Sequence, residues 1–334
     1  MKVGIIGLGV GEQHIAGYHS HPACQVVALC DFSDDKLAQA SEKYPDLKLM
    51  GEADELLEDP DIDIVSIASY DNYHHEQIVK GINHHKHLFV EKPLCLYEHE
   101  AEHIRGMLND NPQLKLSSNL ILRMSPRFRL LKKMIEEEVF GELFYVEGDY
   151  NYGRLHKITD GWRGKIDFYS VVYGGAVHLV DLLLWLTGDR VVEVAAFGNN
   201  IASRGSIFRY NDLVVSLLKF QSGMLGKVTG IFGCVFPHFH ALSVYGTGAT
   251  FVNGLEHATL FTPNTTPNTT PNAQMITADY PGVHKGGLIY SFVEAILNDS
   301  PAMVTVEDVF ETMSVCFALE KATHQSASVT VKYI

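Results

Sequence analysis

An apolar run that ends in three closely spaced glycines opens the chain and constrains its fold more than any other segment. Residues Lys2–Ile6 predict a short buried strand, a helical stretch begins at Glu12, and between them stand Gly7, Gly9 and Gly11. Glycines at such a junction let the backbone turn tightly and let a pyrophosphate approach the helix N-terminus. A tight turn that binds nothing would give the same pattern, so further features must decide.

The end of the second apolar run carries an acidic residue. Residues 25–30 predict a second strand, and Asp31 follows it directly. A carboxylate at this place accepts hydrogen bonds from both hydroxyls of an adenine ribose and repels a 2′-phosphate. The glycine turn and Asp31 together predict a bound dinucleotide, with NAD favoured over NADP.

The pattern of elements divides the chain into two parts. Strand-like apolar runs alternate with helical stretches through residues 1–119, which predicts a parallel sheet covered by helices, a doubly wound α/β domain. Residues 120–334 instead contain closely spaced strands joined by short turns, which predicts an α+β domain with a mostly antiparallel sheet. The last helix of the chain could pack back on the first domain. The predicted strands of the second domain include 192–198, 212–220, 224–232 and 239–245.

The composition excludes several classes of partner. The formal net charge is −14, whereas nucleic-acid binding requires a surplus of Lys and Arg on one face. The five cysteines are scattered without a C-x-x-C pair, which indicates a reducing compartment. Apolar runs stay below the ~20 residues that a membrane span needs, and we expect no signal peptide before the first strand. We therefore expect a cytoplasmic protein whose partner is a small molecule.

A Pro- and Asn-rich segment, 262–272, predicts an exposed loop.

A lysine stands at the end of another predicted strand. Glu91, Lys92 and Pro93 follow the apolar run His87–Val90. In open α/β sheets, ligands bind beyond the carboxyl ends of the strands, so Lys92 is placed to hydrogen-bond a substrate hydroxyl or carbonyl. The alternative is a solvated lysine in a loop.

A histidine follows a glycine pair at the start of a predicted helix. Gly174 and Gly175 precede the apolar stretch Ala176–Leu186, which places His178 in its first turn and Asp181 one turn later on the same face. Imidazole is the natural acid or base for moving a hydroxyl proton. The alternative is a packing histidine held by Asp181.

Two further histidines alternate along a predicted strand. His238 and His240 could both face one surface, but a metal site would need a third ligand that the sequence does not place. We therefore predict that His238 and His240 face solvent or line a substrate site, and that they bind no metal.

These motifs together resemble the Gfo/Idh/MocA family (glucose–fructose oxidoreductase, inositol dehydrogenase and MocA). The likeness runs through the whole chain, and its most specific motif is Glu91-Lys92-Pro93. The resemblance implies a Rossmann domain and hydride transfer between a nicotinamide cofactor and a sugar-like alcohol or ketone, with Lys92 and His178 at the reaction centre. Matching positions elsewhere include His14 and Asn119. Cofactor contacts are expected at Gly7, Gly9, Val10, Gly11, Asp31, Ser69, His74, Glu91, Lys92, Trp162 and Arg163, and substrate contacts at Arg123, Tyr152 and Asp181.

The sequence departs from the family pattern in the glycine turn and in the stretch ahead of His178. Glu12 stands where the family has a third glycine, a role that Gly11 would take. Phe168–Ser170 stands where the family has a triple glycine.

The departure that bears most on the chemistry is at Gly174, where the family has an aspartate four residues before the histidine. His178 must then act alone or be held by another carboxylate, Asp181 or Asp167. The helical spacing favours Asp181.

We therefore expect an NAD-dependent dehydrogenase or reductase acting on a secondary alcohol or ketone of a sugar, cyclitol or sugar derivative, sugar nucleotides included. Two alternatives stay open. One is an NAD-binding regulator without turnover, which the missing aspartate would suit, and the other is a redox-neutral enzyme that holds NAD tightly. The broad sheet of the second domain would suit a subunit interface, so we expect a homo-oligomer, a dimer or tetramer.

Overall fold

The computed structural model describes residues 1–264, 266, 269–280, 285–325 and 327–334. The chain forms two compact units. The first comprises Met1–Ile121, Val283–Glu311 and Ile334, and the second comprises Leu122–Gly282 and Thr312–Tyr333. A segment near the C-terminus thus belongs with the N-terminal part of the chain. The sequence pattern suggested a boundary between residues 119 and 120, with a last helix that could pack back on the first domain.

Residues 1–121 carry a six-stranded parallel sheet in the order β3-β2-β1-β4-β5-β6. This order confirms the doubly wound α/β fold. The order in which the chain adds strands to the sheet reverses between β1 and β4. Sheets of this kind bind ligands at that point, beyond the carboxyl ends of the strands. The elements are β1 Lys2–Ile6, α1 His14–His19, β2 Gln25–Cys30, α2 Asp34–Lys43, β3 Lys48–Met50, α3 Ala53–Glu58, β4 Ile64–Ile67, α4 His74–Asn83, β5 His87–Val90, α5 Glu98–Asp110 and β6 Leu116–Ser118.

Two of these elements were not predicted from the sequence. Strand β3 has only three residues and begins with the exposed Lys48, so it lacks a continuous apolar run. Helix α3 has six residues, too few to show a clear helical period. The helix expected from Glu12 begins as one 3-10 turn, Gly11–Gln13, before α1.

The second unit is built on a nine-stranded sheet in the order β14-β13-β12-β11-β7-β10-β9-β8-β15. Among the described residues, its neighbouring strands pair antiparallel except β7 with β10, which pair parallel, so the sheet is mixed and mostly antiparallel as expected. The remaining elements of the chain are α6 Pro126–Glu136, β7 Leu143–Asn151, α7 His156–Thr159, α8 Val177–Thr187, β8 Val191–Asn199, β9 Leu213–Phe220, β10 Leu225–Ile231, β11 Phe239–Gly246, β12 Thr250–Asn253, β13 Ala258–Thr262, β14 Asn272–Ile276, α9 Ile289–Asn298, α10 Val306–Gln325 and β15 Val329–Thr330.

The sequence predicted β8 to β11 but not β12 to β15. Strands β12 and β15 are short, with four and two residues. The Pro- and Asn-rich segment joins β13 to β14. Its described residues from 263 to 272 are exposed as expected, while Thr265, Pro267 and Asn268 lie outside the described residues.

Helix α8 lies against one face of the mixed sheet. Its side chains are apolar almost all round, and nearly all of them are buried. A side chain on Gly148 of β7 would stand 3.0 Å from Leu179, so the missing side chain lets helix and strand approach closely. A π-helical turn, Val172–Ala176, leads into α8 and holds the glycine pair. This packing places His178 in the first turn of a rigid, buried helix.

Candidate active site

The three glycines that follow β1 have different roles. Gly7 has a φ of 90°, and a Cβ there would stand 2.2 Å from the carbonyl oxygen of Ala68, so only glycine fits. A Cβ on Gly11 would stand 3.0 Å from both Ala68 and Ile5. Gly9 is exposed, and the nearest atom to its Cβ position is Nζ of Lys36, at 3.9 Å. The outer two glycines therefore serve packing, and Gly9 leaves the backbone open to a ligand.

Asp31 ties the end of β2 to the glycine turn. Its Oδ2 accepts a hydrogen bond from the backbone N–H of Leu8, at 2.8 Å. Its Oδ1 accepts one from the N–H of Ser33, at 3.0 Å. The carboxylate is buried beside the turn, where the sequence predicted contacts with the cofactor. It also pairs with Lys36, a contact that no sequence motif indicates.

A buried polar network holds Glu91 at the end of β5. The His14 ring contacts Ser66 Oγ through Nδ1, at 2.8 Å, and Glu91 Oε1 through Nε2, at 3.2 Å. Asn119 Nδ2 donates to the same Glu91 oxygen, at 2.6 Å, and to the carbonyl oxygen of Lys285, at 2.8 Å. The ends of β5 and β6 are thereby joined to α1 and to the segment before α9.

The pKa of Glu91 lies far below its ordinary value. Burial raises the pKa, but the hydrogen bond from His14 and the charges of Lys285, His14 and Lys92 outweigh that effect and lower it to about 2. Glu91 is therefore ionised at neutral pH inside the protein.

His74 links the turn after β5 to the end of β4. Its Nδ1 is 2.7 Å from the carbonyl oxygen of Pro93, and its Nε2 is 3.3 Å from that of Ser69. The Lys92–Pro93 peptide bond is cis, and Lys92 is half-buried. The first unit thus brings Ser69, His74, Glu91 and Lys92 together at the carboxyl ends of two neighbouring strands, as expected for a ligand site.

The second unit places His178 in an aromatic cluster that we define as Tyr150, Tyr152, His178, Phe232, His238 and His240. The ring of Tyr150 is central: its centroid is 6.4 Å from that of His178, 5.0 Å from that of His240 and 5.3 Å from that of His238. The sequence pointed to His178 and Tyr152 but not to Tyr150 or Phe232, because nothing local distinguishes an aromatic residue that lines a site from one in a core.

His240 is held from one side by Tyr280. The phenolic oxygen accepts a hydrogen bond from the backbone N–H of His240, at 2.8 Å, and lies 2.7 Å from its Nδ1. Among the described residues, no group of three or more His, Cys, Asp or Glu side chains could hold a metal ion.

Arg123 and Asp181 form a buried ion pair. Nε of Arg123 donates to both carboxylate oxygens at 3.1 Å, and Nη2 donates to Oδ1 at 2.6 Å. Both side chains are almost fully buried, so their charges compensate each other inside the protein. The sequence suggested that Arg123 contacts substrate and that Asp181 holds His178. The structure shows in addition that Arg123 and Asp181 are bonded to one another, and both suggested roles stay predictions.

Gly174 stands directly beside a tyrosine. A Cβ at this position would lie 1.9 Å from the hydroxyl oxygen of Tyr169, so this hydroxyl fills the space of a side chain at residue 174. The guanidinium of Arg163 lies over the rings of Trp162 and Tyr169, at 4.6 and 5.9 Å from their centroids. Trp162 and Arg163, expected at the cofactor, therefore belong to the second unit and border the same tyrosine.

The described part of the chain contains no helix that is long and apolar enough to cross a membrane.

This fold and these residues define a class of protein with a dinucleotide-binding Rossmann domain and a second α+β domain. A model of the oxidoreductase family with an NAD-binding Rossmann fold matches residues 1–116, and a model of the GFO/IDH/MocA C-terminal domain matches residues 128–252. The chain belongs to the Gfo/Idh/MocA family of oxidoreductases.

Similar proteins include several inositol dehydrogenases. The chain is 24% identical to a myo-inositol 2-dehydrogenase of Thermotoga maritima over 351 residues, which cover 100% of this chain and 99% of the relative. It is 24% identical to a scyllo-inositol 2-dehydrogenase (NAD(+)) of Bacillus subtilis, over 77% of this chain and 75% of the relative.

Solved structures share the same fold. A scyllo-inositol dehydrogenase from Lactobacillus casei with bound NAD(H) and scyllo-inositol superimposes with a TM-score of 0.83, at 20% identity and 99% coverage of both chains. A levoglucosan dehydrogenase in complex with NADH gives a TM-score of 0.87, at 18% identity and 100% coverage of both.

Proposed function

We propose that this protein is an NAD-dependent oxidoreductase that transfers hydride between a nicotinamide cofactor and a secondary alcohol or ketone of a sugar or cyclitol. The observation that carries the proposal is the turn of Lys92, held at the carboxyl ends of β4 and β5 by His74 and by the network of Glu91. The names of the relatives, inositol and levoglucosan dehydrogenases, support a polyhydroxylated substrate.

The residues of the first unit fit a nicotinamide dinucleotide. Gly9 leaves an open approach to the backbone of the turn, and the carboxylate of Asp31 stands beside it. Backbone N–H groups at this turn would hold the diphosphate, and Asp31 would accept hydrogen bonds from the ribose hydroxyls. The cofactor would supply the hydride chemistry, while the protein orients and polarises the substrate.

Two side chains are proposed to act on the substrate. Lys92 donates a hydrogen bond to the reacting oxygen and stabilises negative charge that develops there. His178 takes the hydroxyl proton, or returns it in the reverse direction. The buried aromatic cluster excludes water from the imidazole and offers apolar ring faces to the carbon side of a sugar-like ring.

The proposal is tested by recording NADH absorbance while sugars, cyclitols and sugar derivatives are supplied one at a time. With a substrate in hand, Lys92→Met and His178→Asn should each lower kcat by ~10²–10³-fold. NAD affinity, measured by calorimetry, should change only a few-fold. Variants with near-normal turnover would return Lys92 to a solvated-loop role and His178 to a packing role.

One observation favours a second candidate, an NAD-binding regulator without turnover. Tyr169 fills the space at Gly174, so no carboxylate can stand four residues before His178. A regulator would bind NAD(H) tightly and turn over none of the tested compounds. A redox-neutral enzyme would instead retain NAD through purification, which chromatography of the released nucleotide would detect.

We also propose that the open face of the mixed sheet mediates a homodimer. Several large apolar side chains project from this face, among them Leu217 at 61% exposure, and others are Phe197, Val215, Leu225 and Met275. Near the middle of the face, Lys227 pairs with both Glu147 and Asp149, at 3.0 and 3.1 Å, and so compensates one of their two negative charges. Exposed apolar patches of this kind mark interaction sites.

The dimensions of the face suit an interface. Nine strands spaced ~4.8 Å apart and ~20 Å long present about 800 Å² per copy, so two copies would bury about 1,600 Å². Sedimentation of the wild type should give a dimer or a dimer-based tetramer, and Leu217→Glu should shift it to monomer. A monomeric wild type would refute the interface.

The five cysteines are all free thiols, which supports our proposal of a reducing, cytoplasmic location.

A further inference from the structure

Lys36 lies beside the carboxylate that is proposed to hold the adenine ribose. It occupies the first turn of α2, and its Nζ donates to Oδ2 of Asp31 at 2.9 Å. The same Nζ is 3.9 Å from the place where a Cβ on Gly9 would stand. The ammonium group therefore lies over the one open glycine of the turn, between the carboxylate and the route of a ligand.

The pair changes how many acceptors Asp31 can offer. A carboxylate has about four lone-pair sites. Oδ2 already accepts from Leu8 and Lys36, and Oδ1 accepts from Ser33. About one site is left, whereas two ribose hydroxyls need two. Full bidentate binding of the ribose thus requires Lys36 to swing away.

The pair also changes the charge that meets a 2′-phosphate. An isolated Asp31 would present one negative charge to a group that carries about −1.5 to −2 itself, and would repel it. Lys36 cancels that charge at 2.9 Å, and its side chain is 38% exposed against 2% for Asp31. A mobile, solvent-accessible ammonium can turn from the carboxylate to a phosphate, which it binds as a point charge.

Other charged groups on α2 do not take this place. Lys43, in the last turn, pairs with Glu12, which also accepts from Tyr44. Asp34 and Asp35 are exposed in the first turn. Of the lysines on this helix, Lys36 is the one bonded to Asp31.

We propose that Lys36 is a specificity-determining residue that lets the site accept NADP as well as NAD, because it neutralises Asp31 and binds a 2′-phosphate. The proposal rests on the nucleotide site of the proposed function and refines its preference for NAD. Asp31 gives the site its preference for NAD, and Lys36 reduces the ratio by which NAD binds more tightly than NADP.

Calorimetry on the full-length protein tests this with four titrations for each variant: NAD⁺, NADP⁺, 5′-AMP and 2′,5′-ADP. In Lys36→Met, which keeps an unbranched side chain out to Cε but removes the charged amine, the ratio of the NADP⁺ to the NAD⁺ dissociation constant should rise by about tenfold or more. NADP⁺ and 2′,5′-ADP should both bind more weakly, while NAD⁺ and 5′-AMP should bind as in the wild type or more tightly, because the variant frees an acceptor site on Asp31. Lys43→Met is the matched control and should leave the ratio unchanged.

Ionic strength gives an independent measurement. Added salt should weaken NADP⁺ binding more steeply in the wild type than in Lys36→Met, because the variant lacks the cation. A ratio that changes less than about threefold in Lys36→Met, while NAD⁺ still binds, would overturn the role of Lys36 alone. A folded wild type that binds neither dinucleotide would overturn both this proposal and the proposed function.

Discussion

The hydroxyl of Tyr169 stands where the first side-chain atom of residue 174 would be, 1.9 Å from the ideal Cβ position of Gly174. The ring carbon that bears the hydroxyl is itself only 2.6 Å away. A tyrosine five positions earlier thus dictates glycine at the point where the family carries an aspartate.

Gly174→Ala should destabilise the protein by about 1–3 kcal/mol, because overpacking forces Tyr169 out of a buried position. Urea unfolding followed by circular dichroism measures the change. Gly106→Ala is the matched control, since a Cβ on Gly106 in α5 meets nothing within 4 Å and should be neutral or stabilising by ~0.5–1 kcal/mol. Equal effects of the two substitutions would contradict the packing argument.

Gly7 and Gly9 should separate folding from cofactor binding. Gly7→Ala places a Cβ 2.2 Å from the Ala68 carbonyl oxygen at a φ of 90°, so stability should fall by several kcal/mol. Gly9→Ala meets only Lys36, at 3.9 Å, so stability should change by less than ~0.5 kcal/mol. NAD affinity of Gly9→Ala should nevertheless fall by about tenfold or more, because the added methyl blocks the backbone. Unaltered NAD binding in this variant would argue against a ligand at the turn.

Glu91 should make stability depend on pH in the acid range. Its pKa is about 2 in the folded protein against 4.5 ordinarily, so the folded state favours the ionised form. The resulting stabilisation is complete above pH ~4.5 and is lost as the pH falls towards 2. It is on the order of 3 kcal/mol.

Glu91→Gln should therefore be less stable than the wild type at pH 7, and the difference should shrink between pH 5 and pH 3. Urea unfolding at several pH values measures it. Glu42→Gln, at an exposed position of α2, is the control and should change neither the stability nor its pH dependence. If the difference in unfolding free energy between Glu91→Gln and the wild type were constant across this range, the neighbours of Glu91 would not be lowering the pKa of its carboxyl group.

The Arg123–Asp181 pair should be costly to break from one side. Asp181→Asn or Arg123→Met removes one charge of a buried, hydrogen-bonded ion pair, and each should cost about 3–5 kcal/mol. The double variant Arg123→Met/Asp181→Leu should lose much less than the sum, because both charges are gone. A double-mutant cycle of unfolding free energies gives the coupling, and strictly additive effects would mean that the two residues do not depend on each other.

The sequence predicted most of what is local or periodic. The bounds of β1, β2 and β5 agree with prediction residue for residue, because apolar runs and turn residues lie within one segment. The short elements β3, β12 and β15 escaped prediction, since two to four residues carry no period. Candidate site residues were indicated wherever a motif marks them, as at Gly7 and Lys92.

The sequence patterns did not predict which distant residues bond to each other. Arg123 and Asp181 are 58 positions apart, and His14 and Glu91 are 77 apart. No local rule pairs such residues, because chain packing decides which buried charges meet.

The sequence by itself determined the doubly wound domain, its glycine turn and the acidic residue that follows its second strand, because neighbouring residues fix the backbone conformation and the hydrophobic period. Tertiary structure alone decided that Asp181 bonds to Arg123, that Tyr169 excludes a side chain at Gly174, and that Lys36 reaches Asp31. These relations depend on distances between separate elements, and a few ångströms there decide whether a charge is exposed, shared or neutralised.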